Sequence, residues 1–433
     1  MADVVSDLSW RGLISQSTDV DALRTAFESS QVTFYCGFDP TAPSLHVGHL
    51  VQLITMRRLQ RAGHKPIALV GGATGLIGDP RMSGERVLNE PEIVGQWAAG
   101  LQTQISRFLD FDGPNAAQMA NNLDWTANLS TIEFLRDYGK HYRLGTMLAK
   151  DTVARRLDSE AGISFAEFSY QILQGMDYLE LYRRYNCTLQ TGGNDQWGNL
   201  LSGVDLIRRV ERAGVHAMTT PLLTKADGTK FGKSESGDNW WLNADRTSPY
   251  AFYQFWLNTD DRDIITYVKA MSERSREEIE DLEARTQDRP HERAAQKALA
   301  EELTALVHSP AALTDVQAAS AALFGRGDIH ALSDDVLAAA SAEVPSAAVP
   351  RAEFESWTAV ELLIATGLAK SKGAARRNIA DGGVSINNET VATTGSGTAV
   401  TDIPALTRQQ LLHDRWVVVR RGRRNVAIVQ VEA

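Results

Sequence analysis

The chain has 433 residues, of which 43% are hydrophobic and 23% charged, a composition ordinary for a soluble globular protein of roughly two to four domains. Its two cysteines are too few for a disulfide framework or a cysteine-rich zinc site, which favours the reducing cytoplasm. No apolar run reaches the roughly 18 residues of a membrane span, and the N-terminus lacks a signal-peptide pattern, so neither membrane insertion nor secretion is expected.

The net charge of −10 is distributed unevenly along the chain. From Arg351 onwards, 11 basic side chains face 8 acidic ones, a net charge of +3, whereas the first 350 residues carry −13. An acidic body disfavours non-specific coating of DNA, but a small basic module still suits a folded RNA. We therefore expect RNA, and no DNA, as a nucleic-acid partner.

The first third of the chain has the pattern of a β-α-β unit. Residues 33–38 (TFYCGF) alternate like a strand, residues 46–63 show helical apolar spacing, and residues 65–72 (KPIALVGG) are rich in β-formers. Such units build parallel sheets with a ligand crevice at the carboxyl ends of the strands. The sequence therefore predicts an α/β fold, with a doubly wound, Rossmann-like catalytic domain over residues 1–220.

Composition divides the rest of the chain into four segments. Residues 221–247 contain the polar, glycine-rich stretch KADGTKFGKSESG and are predicted to be a mobile loop. Residues 248–330 have a helical pattern, which predicts an α-helical domain. Residues 331–352 include SAEVPSAAVP and are predicted to be a linker, and residues 353–433 form a small α+β unit.

Two histidines stand three residues apart at the start of the predicted helix. Ser44 is a plausible N-cap, which would place His46 and His49 in the first turn, beside unpaired backbone N–H groups and the positive end of the helix dipole. Neutral imidazole N–H groups there suit the oxygens of a phosphate. The alternative is that both histidines merely cap the helix or pack against it.

Lys230 and Lys233 lie in the segment KFGKS, and together with HVGH this segment resembles the two-part signature of class I aminoacyl-tRNA synthetases. Adenylate formation needs no protein nucleophile, because the carboxylate of the amino acid itself attacks the α-phosphate of ATP. The protein supplies positioning and stabilises charge on the leaving pyrophosphate. The alternative is that the lysines are solvated loop charges.

A polar stripe is predicted on a later helix, where Tyr170, Gln174 and Asp177 share one face. Its alternative interpretation is a solvent-facing edge, but the interleaved apolar residues predict a largely buried helix, in which polar groups need partners. The stretch LQTGGNDQWGN (189–199) places further polar groups around a Gly-Gly pair, where a ribose or an amino acid could bind or where the chain simply turns.

Six ordered motifs identify the resemblance more narrowly. YCGFDPTAPSLHVGH, GGATGLIGDP, NNLDW, FSYQILQGMD, LQTGGNDQWGN and KADGTKFGKS follow one another as in the bacterial tyrosyl-tRNA synthetases, and the similarity extends from about residue 30 to the end. The resemblance implies activation of L-tyrosine by ATP, with Mg²⁺, and transfer to tRNA(Tyr). It also implies a homodimer and no protein-bound metal site.

The resemblance also implies roles for individual residues. The tyrosine-binding residues would be Tyr35, Asp79, Tyr170, Gln174, Asp177 and Gln196. The ATP-binding residues would be Cys36, Gly37, Asp39, Thr41, His46, Gly48, His49, Gly193, Asp195, Lys230 and Lys233, of which Thr41, His46, His49, Lys230 and Lys233 take part in catalysis. Asn122 would be a further pocket residue. The family has a basic loop after its Gly-Asp-Pro turn, and here DPRMSGER offers Arg81 and Arg86 for pyrophosphate but no lysine.

The tail resembles a small RNA-binding domain first seen in a ribosomal protein. A capping box at Thr358 and Glu361 predicts one helix, and Ser371 is a possible start for a second. The segment WVVVRRGRRNVAIVQV predicts a hairpin with an arginine-rich tip. The basic residues proposed to contact RNA phosphates are Lys372, Arg376, Arg377, Arg420, Arg421, Arg423 and Arg424. The alternative is a merely solvated basic face.

Two other functions remain open at this point. A tryptophanyl-type synthetase shares the fold and both ATP motifs, although Tyr35 with Asp177 and the basic tail favour tyrosine. A non-catalytic RNA-binding paralogue is the other alternative, although the intact HVGH and KFGKS segments argue against it.

Overall fold

The computed structural model describes residues 3–80, 84, 88–160, 162–229, 231–232, 239–325, 327–391, 403–422 and 425–432. The chain divides into two compact units: Met1–Asn243 with Asp260–Ala295, and Ala244–Thr259 with Gln296–Ala433. The predicted helical segment 248–330 is therefore shared between the two units. No helix in the part of the chain that the structure describes is long and apolar enough to cross a membrane.

A six-stranded sheet forms the centre of the first unit, with strand order β1-β6-β5-β2-β3-β4. All neighbouring pairs are parallel except β1 with β6. The predicted parallel sheet is confirmed. The strands are β1 (Gln16–Ser17), β2 (Thr33–Phe38), β3 (Lys65–Val70), β4 (Gln118–Asn121), β5 (Cys187–Gly193) and β6 (His216–Thr220).

Helices cover this sheet, and the two with the most direct bearing on the site are α3 and α9. The first ten are α1 (Val4–Trp10), α2 (Val20–Ser29), α3 (Val47–Arg61), α4 (Pro91–Ile105), α5 (Leu123–Thr126), α6 (Thr131–Glu133), α7 (Leu144–Leu148), α8 (Asp151–Leu157), α9 (Phe165–Tyr185) and α10 (Trp197–Val210). Next along the chain, α11 (Pro249–Leu257) belongs to the second unit, whereas α12 (Asp261–Met271) and α13 (Arg276–Asp288) belong to the first.

The second unit combines helices with a five-stranded sheet of order β7-β11-β10-β8-β9. Side chains of α18 and β10 share its buried apolar core, including Leu362, Leu363, Val417 and Val419. The further helices are α14 (Ala294–Val307), α15 (Pro310–Leu323), α16 (Asp334–Ser341), α17 (Arg351–Phe354), α18 (Ala359–Ala365) and α19 (Lys372–Ala380). The strands are β7 (Ser346–Pro350), β8 (Val384–Ile386), β9 (Glu389–Thr390), β10 (Trp416–Arg421) and β11 (Asn425–Glu432).

The predicted linker over residues 331–352 is wrong, because this segment is part of the second unit's fold. Strand β7 pairs in parallel with β11, and its Val349 is fully buried in the core. Helix α16 also contacts β11. The Ala/Ser/Pro composition resembles that of a flexible spacer, but small residues also suit an edge strand, whose pairing depends on a partner far away in the sequence.

Candidate active site

Helix α3 begins directly at the first motif histidine. His46 is the N-cap, and its Nδ1 accepts a hydrogen bond from the backbone N–H of Gly48 at 3.1 Å. The Nδ1 of His49 in turn accepts from the backbone N–H of His46 at 3.1 Å, which completes a capping box. The predicted N-cap, Ser44, is wrong: its hydroxyl instead donates to the carbonyl of Leu45 at 2.7 Å.

This capping geometry determines which ring nitrogens carry protons. Because both Nδ1 atoms accept from backbone N–H groups, each neutral imidazole must carry its proton on Nε2. Burial and the neighbouring His46 lower the pKa of His49 to about 3, so His49 is neutral at physiological pH. Gly48 makes the arrangement possible, because a Cβ at this position would lie only 2.8 Å from Cε1 of His46.

The middle of the second motif lies beside the same helix start. A Cβ on Gly232, whose φ of +77° already favours glycine, would lie 2.7 Å from Cγ2 of Val47. The ring of Phe231 packs on that of Tyr267 with centroids 4.7 Å apart. The structure thus brings HVGH and KFGKS together, although Lys230 and Lys233 themselves lie outside the described residues, as do Arg81 and Arg86.

The turn after β2 carries Asp39, which is hydrogen-bonded from two sides. The hydroxyl of Thr74 donates to Oδ1 of Asp39 at 2.7 Å, and the hydroxyl of Tyr170 on α9 donates to Oδ2 at 2.7 Å. The backbone N–H of Thr41 donates to the Asp39 carbonyl at 2.8 Å and closes the turn. Asp39 therefore links the chain leading into α3 to the polar stripe of α9.

Asp177 is the carboxylate of the predicted stripe, and it is buried, with 2% of its surface exposed. Nδ2 of Asn122 donates to its Oδ2 at 2.9 Å, and Nε1 of Trp125 donates to its Oδ1 at 2.8 Å. Burial raises the pKa of Asp177 to about 7, while these two donors oppose the shift. Trp125 was missed by the sequence analysis, although it belongs to the quoted segment NNLDW.

The buried polar atoms that lack a hydrogen-bond partner within the described residues include the hydroxyl of Tyr35, Oε1 of Gln174 and Oε1 of Gln190. Tyr35 on β2 and Gln190 on β5 are direct partners across the sheet. Burying polar atoms without partners is costly, so atoms of this kind that line a polar cluster suit a water molecule or a polar group of a ligand. Gln190 was noted in the sequence only as one of several polar residues near Gly192.

Asp79 lies in a second polar cluster, at the carboxyl end of β5. Nε2 of Gln196 donates to its Oδ2 at 2.9 Å, and Nδ2 of Asn199 donates to its Oδ1 at 3.0 Å. Burial raises the pKa of Asp79, which both amides oppose. Lys150 lies next to Asn199, and burial lowers its pKa to about 7. Neither Asn199 nor Lys150 was singled out from the sequence.

The remaining predicted nucleotide-binding residues lie at the ends of β2 and β5. Cys36 is buried on β2, and burial raises its pKa to about 12, so its thiol stays protonated. Gly37 follows it and is exposed. Gly193 ends β5, and a Cβ there would lie 2.6 Å from Oδ1 of Asp195, so a larger residue would require the Asp195 side chain to move.

The predicted RNA-binding residues fall into two groups. Helix α19 begins after Ser371 as expected and exposes Lys372, Arg376 and Arg377. The predicted hairpin of β10 and β11 is confirmed. Its Arg420 and Arg421 are only half-exposed, because Arg420 donates to Ser385 and Arg421 to the carbonyl of Leu368. Arg423 and Arg424 lie outside the described residues.

Comparisons with known proteins agree with this geometry. Residues 28–325 match the family described as class I tRNA synthetases (W and Y), and residues 336–429 match the SYY-like C-terminal domain of tyrosine–tRNA ligases. The chain is 60% identical to a tyrosine–tRNA ligase of Streptomyces griseus over all of this chain and 99% of the relative. It is 50% identical to that of Corynebacterium glutamicum over 99% of both chains.

A solved structure shares the fold as well. The C-terminally truncated mitochondrial tyrosyl-tRNA synthetase of Aspergillus nidulans is 30% identical, with a TM-score of 0.67 over 73% of this chain and 92% of that one. The family match covers well over half of the chain, and the relatives match it at full length. The chain therefore belongs to the class I tRNA synthetases, among the bacterial tyrosine–tRNA ligases.

Proposed function

We propose that the protein binds L-tyrosine with its phenol ring next to Asp177 and activates it with ATP for transfer to tRNA(Tyr). The observation that carries this proposal is the buried hydroxyl of Tyr35, which lies under the influence of Asp177 and has no hydrogen-bond partner within the described residues. A phenol hydroxyl both donates and accepts, so it would satisfy Asp177 and the hydroxyl of Tyr35 together. An indole N–H only donates, which disfavours tryptophan.

At the opposite end of the amino acid, we assign the α-ammonium group to Asp79, Tyr170 and Gln174. Asp79 is an acceptor, and Oε1 of Gln174 is buried without a partner among the described residues, so both suit a cation that donates three hydrogen bonds. Gln196 would then lie near the carboxylate of tyrosine. This orientation leaves that carboxylate free to attack phosphorus.

For ATP we propose a position over the start of α3. The carboxylate oxygen of tyrosine forms a bond to the α-phosphorus, the bond to the β-phosphate oxygen breaks, and pyrophosphate leaves with the electron pair. The Nε2–H groups of His46 and His49, helped by Thr41, would donate to phosphoryl oxygens as this charge develops. Lys230 and Lys233 would meet the leaving pyrophosphate, with Arg81 and Arg86 as further candidates.

The ribose and adenine groups of ATP have their own candidate contacts in this proposal, namely Cys36, Gly37, Asp39, Gly48, Gly193 and Asp195. Mg²⁺ would arrive bound to the phosphates of ATP as part of the substrate. In the second step, a terminal ribose hydroxyl of tRNA attacks the carbonyl of tyrosyl-adenylate and releases AMP.

We propose the cytoplasm as the location of the protein, in line with its two unpaired thiols.

Pyrophosphate exchange with each of the twenty amino acids tests the proposal. We expect ATP to become labelled from radioactive pyrophosphate only when tyrosine is present, because exchange requires reversible adenylate formation. Tryptophan-dependent exchange would support the alternative synthetase instead. A folded protein that exchanges with none of the twenty would leave only the RNA-binding alternative.

We propose that the second unit binds tRNA through the exposed face of α19. Replacing Lys372, Arg376 and Arg377 together by glutamine should weaken tRNA binding and flatten the slope of log Kd against log salt by about 2 to 3, at roughly 0.7–0.9 per lost phosphate contact. Filter binding across a salt series measures both quantities. Tyrosine-dependent exchange should stay at the parental rate.

Substitution is a better test than truncation within residues 341–350, because truncation would remove every strand of the second sheet and expose the surface of α16 that contacts β11. Replacing Arg408 by glutamine is a matched control, because this exposed arginine is already paired with Glu355. An unchanged salt slope in the triple variant would show that α19 does not contact the phosphates.

A homodimer through the first unit is also part of the proposal. Large apolar side chains on the short helices from α6 to the start of α9 are exposed to an unusual degree, which is typical of a protein interface. Phe165, Ile132 and Leu144 expose 72%, 70% and 65% of their surface. Leu135, Leu148 and Leu157 extend this set.

Replacing Phe165 by aspartate should therefore produce monomers, because a carboxylate buried in an apolar interface loses its water without gaining a partner. Sedimentation equilibrium should give twice 47.5 kDa for the parent and 47.5 kDa for the variant. Leu88, which is also exposed but lies outside this set, provides the control, and Leu88→Asp should remain a dimer. A monomeric parent would refute the dimer.

A further inference from the structure

A hydrogen-bonded relay connects Lys150 to the carboxylate proposed to bind the amino group of tyrosine. Nζ of Lys150 donates to Oδ1 of Asn199 at 3.2 Å. Nδ2 of Asn199 then donates to Oδ1 of Asp79 at 3.0 Å and to Oε1 of Gln196 at 3.1 Å. Nε2 of Gln196 donates to the other oxygen of Asp79 at 2.9 Å.

The direction of this relay is set by the hydrogen-bond partners at both ends of Asn199, with the lysine at its oxygen and two acceptors at its nitrogen. The two ends of an amide have nearly the same shape, so only their hydrogen-bond partners decide which end faces which group. An ammonium group only donates, so it requires the oxygen of Asn199 to face it. The nitrogen of Asn199 must then face Asp79, and Gln196 must point its own oxygen towards Asn199.

Without the lysine, Oδ1 of Asn199 would lose the hydrogen bond from Nζ, and the amide would be held at its nitrogen end by Asp79 and Gln196. Asn199 would then fix the positions of Asp79 and Gln196 less firmly. The side chain of Lys150 is also confined, because it packs against Gly198 at the start of α10. A Cβ on Gly198 would lie 3.1 Å from Cε of the lysine, so glycine leaves room for it.

We propose that Lys150 is a positioning residue for tyrosine binding, which acts through Asn199 to hold Asp79 and Gln196 in the orientation that receives the amino acid. This inference rests on the proposed function. Lys150 has no assigned contact with substrate, and it takes no part in the reaction itself. Its removal should therefore weaken the binding of tyrosine more than it slows the chemical step.

Lys150→Met tests this proposal, because methionine has a similar length but cannot donate. In pyrophosphate exchange without tRNA, we expect the KM for tyrosine to rise about tenfold, as for the loss of one hydrogen bond of a charged group. The kcat and the KM for ATP should change less than twofold. Because the assay contains no tRNA, an effect there cannot come from a contact between the lysine and RNA. Lys140→Met, at an exposed lysine of the same unit, should leave all three constants unchanged.

A double-mutant cycle separates positioning from a general structural role. Asn199→Leu removes the amide through which the lysine acts, so adding Lys150→Met to it should raise the KM for tyrosine no further. If the two effects multiply, the lysine does not act through Asn199 and the inference is wrong. An unchanged KM in Lys150→Met alone overturns it equally. If the parent shows no tyrosine-dependent exchange at all, the proposed function has failed instead.

Discussion

Replacing Asp177 by asparagine is expected to lower the preference for tyrosine over phenylalanine by about 10- to 100-fold, measured as the ratio of their kcat/KM values in pyrophosphate exchange. A hydrogen bond to a charged group typically contributes about 1.5–3 kcal/mol, and above pH 7 the buried Asp177 is such a charged acceptor. A pocket built to hydrogen-bond a substrate hydroxyl rejects the analogue without it, because its own polar groups are then left unpaired.

Tyr35→Phe is the milder comparison for this prediction. It removes one neutral partner of the same hydroxyl and should reduce the selectivity by roughly 0.5–1.5 kcal/mol. Selectivity that stays the same in both variants would show that the phenol binds elsewhere.

The same asparagine variant should also change how stability depends on pH. The pKa of Asp177 rises from 3.8 to about 7 on folding, so the folded chain holds a proton that the unfolded chain has lost. The stability associated with that proton is present at low pH and disappears as pH rises through 7. Relative to the parent, Asp177→Asn should therefore gain about 2–3 kcal/mol of unfolding free energy between pH 5 and pH 8. Urea titrations of both unliganded proteins measure this difference, and parallel curves would contradict it.

The second large effect is expected at the start of α3. His46→Ala should lower the kcat of tyrosine-dependent exchange by about 10²–10³, the usual loss when one pre-oriented donor to a developing negative charge is removed. The Kd for tyrosine, measured by equilibrium dialysis, should stay nearly constant, because this donor meets phosphate rather than the amino acid.

Loss of the helix cap could mimic this result, since an N-cap contributes about 1 kcal/mol. His46→Asn separates the two effects, because the asparagine oxygen can still accept from Gly48 while the distant Nε2–H donor is lost. We expect the asparagine variant to melt at nearly the parental temperature and yet to be about as slow as the alanine variant. A fast asparagine variant would mean that His46 acts only as a cap.

Local patterns predicted β2, α3 and β3 of the first unit, because these elements depend on residue periodicity within a short stretch of chain. The N-cap was placed two residues too early, since serine is a common cap whereas an imidazole cap depends on the exact path of the turn. Strand β7 was missed because its partner, β11, lies some 80 residues further along the chain. The composition of β7 alone does not indicate that it pairs with β11.

The same distinction between local patterns and long-range contacts applies to the candidate active site. The stripe of Tyr170, Gln174 and Asp177 could be predicted because its members share one helix face. Trp125 and Lys150 reach the site from other parts of the chain, 52 and 49 positions from their partners Asp177 and Asn199. Sequence spacing contains no signal for such contacts, because they depend on how the helices pack.

The paired histidines of α3 have a consequence for acid tolerance. Each Nδ1 already accepts a hydrogen bond from a backbone N–H. A proton added to that Nδ1 would bring two N–H donors face to face, break this hydrogen bond and destabilise the first turn of the helix. The first turn of α3 would then be lost in the same event as the N–H groups proposed to bind phosphate. Acid inactivation at this site should therefore coincide with fraying of α3, as a single transition rather than as two successive ones.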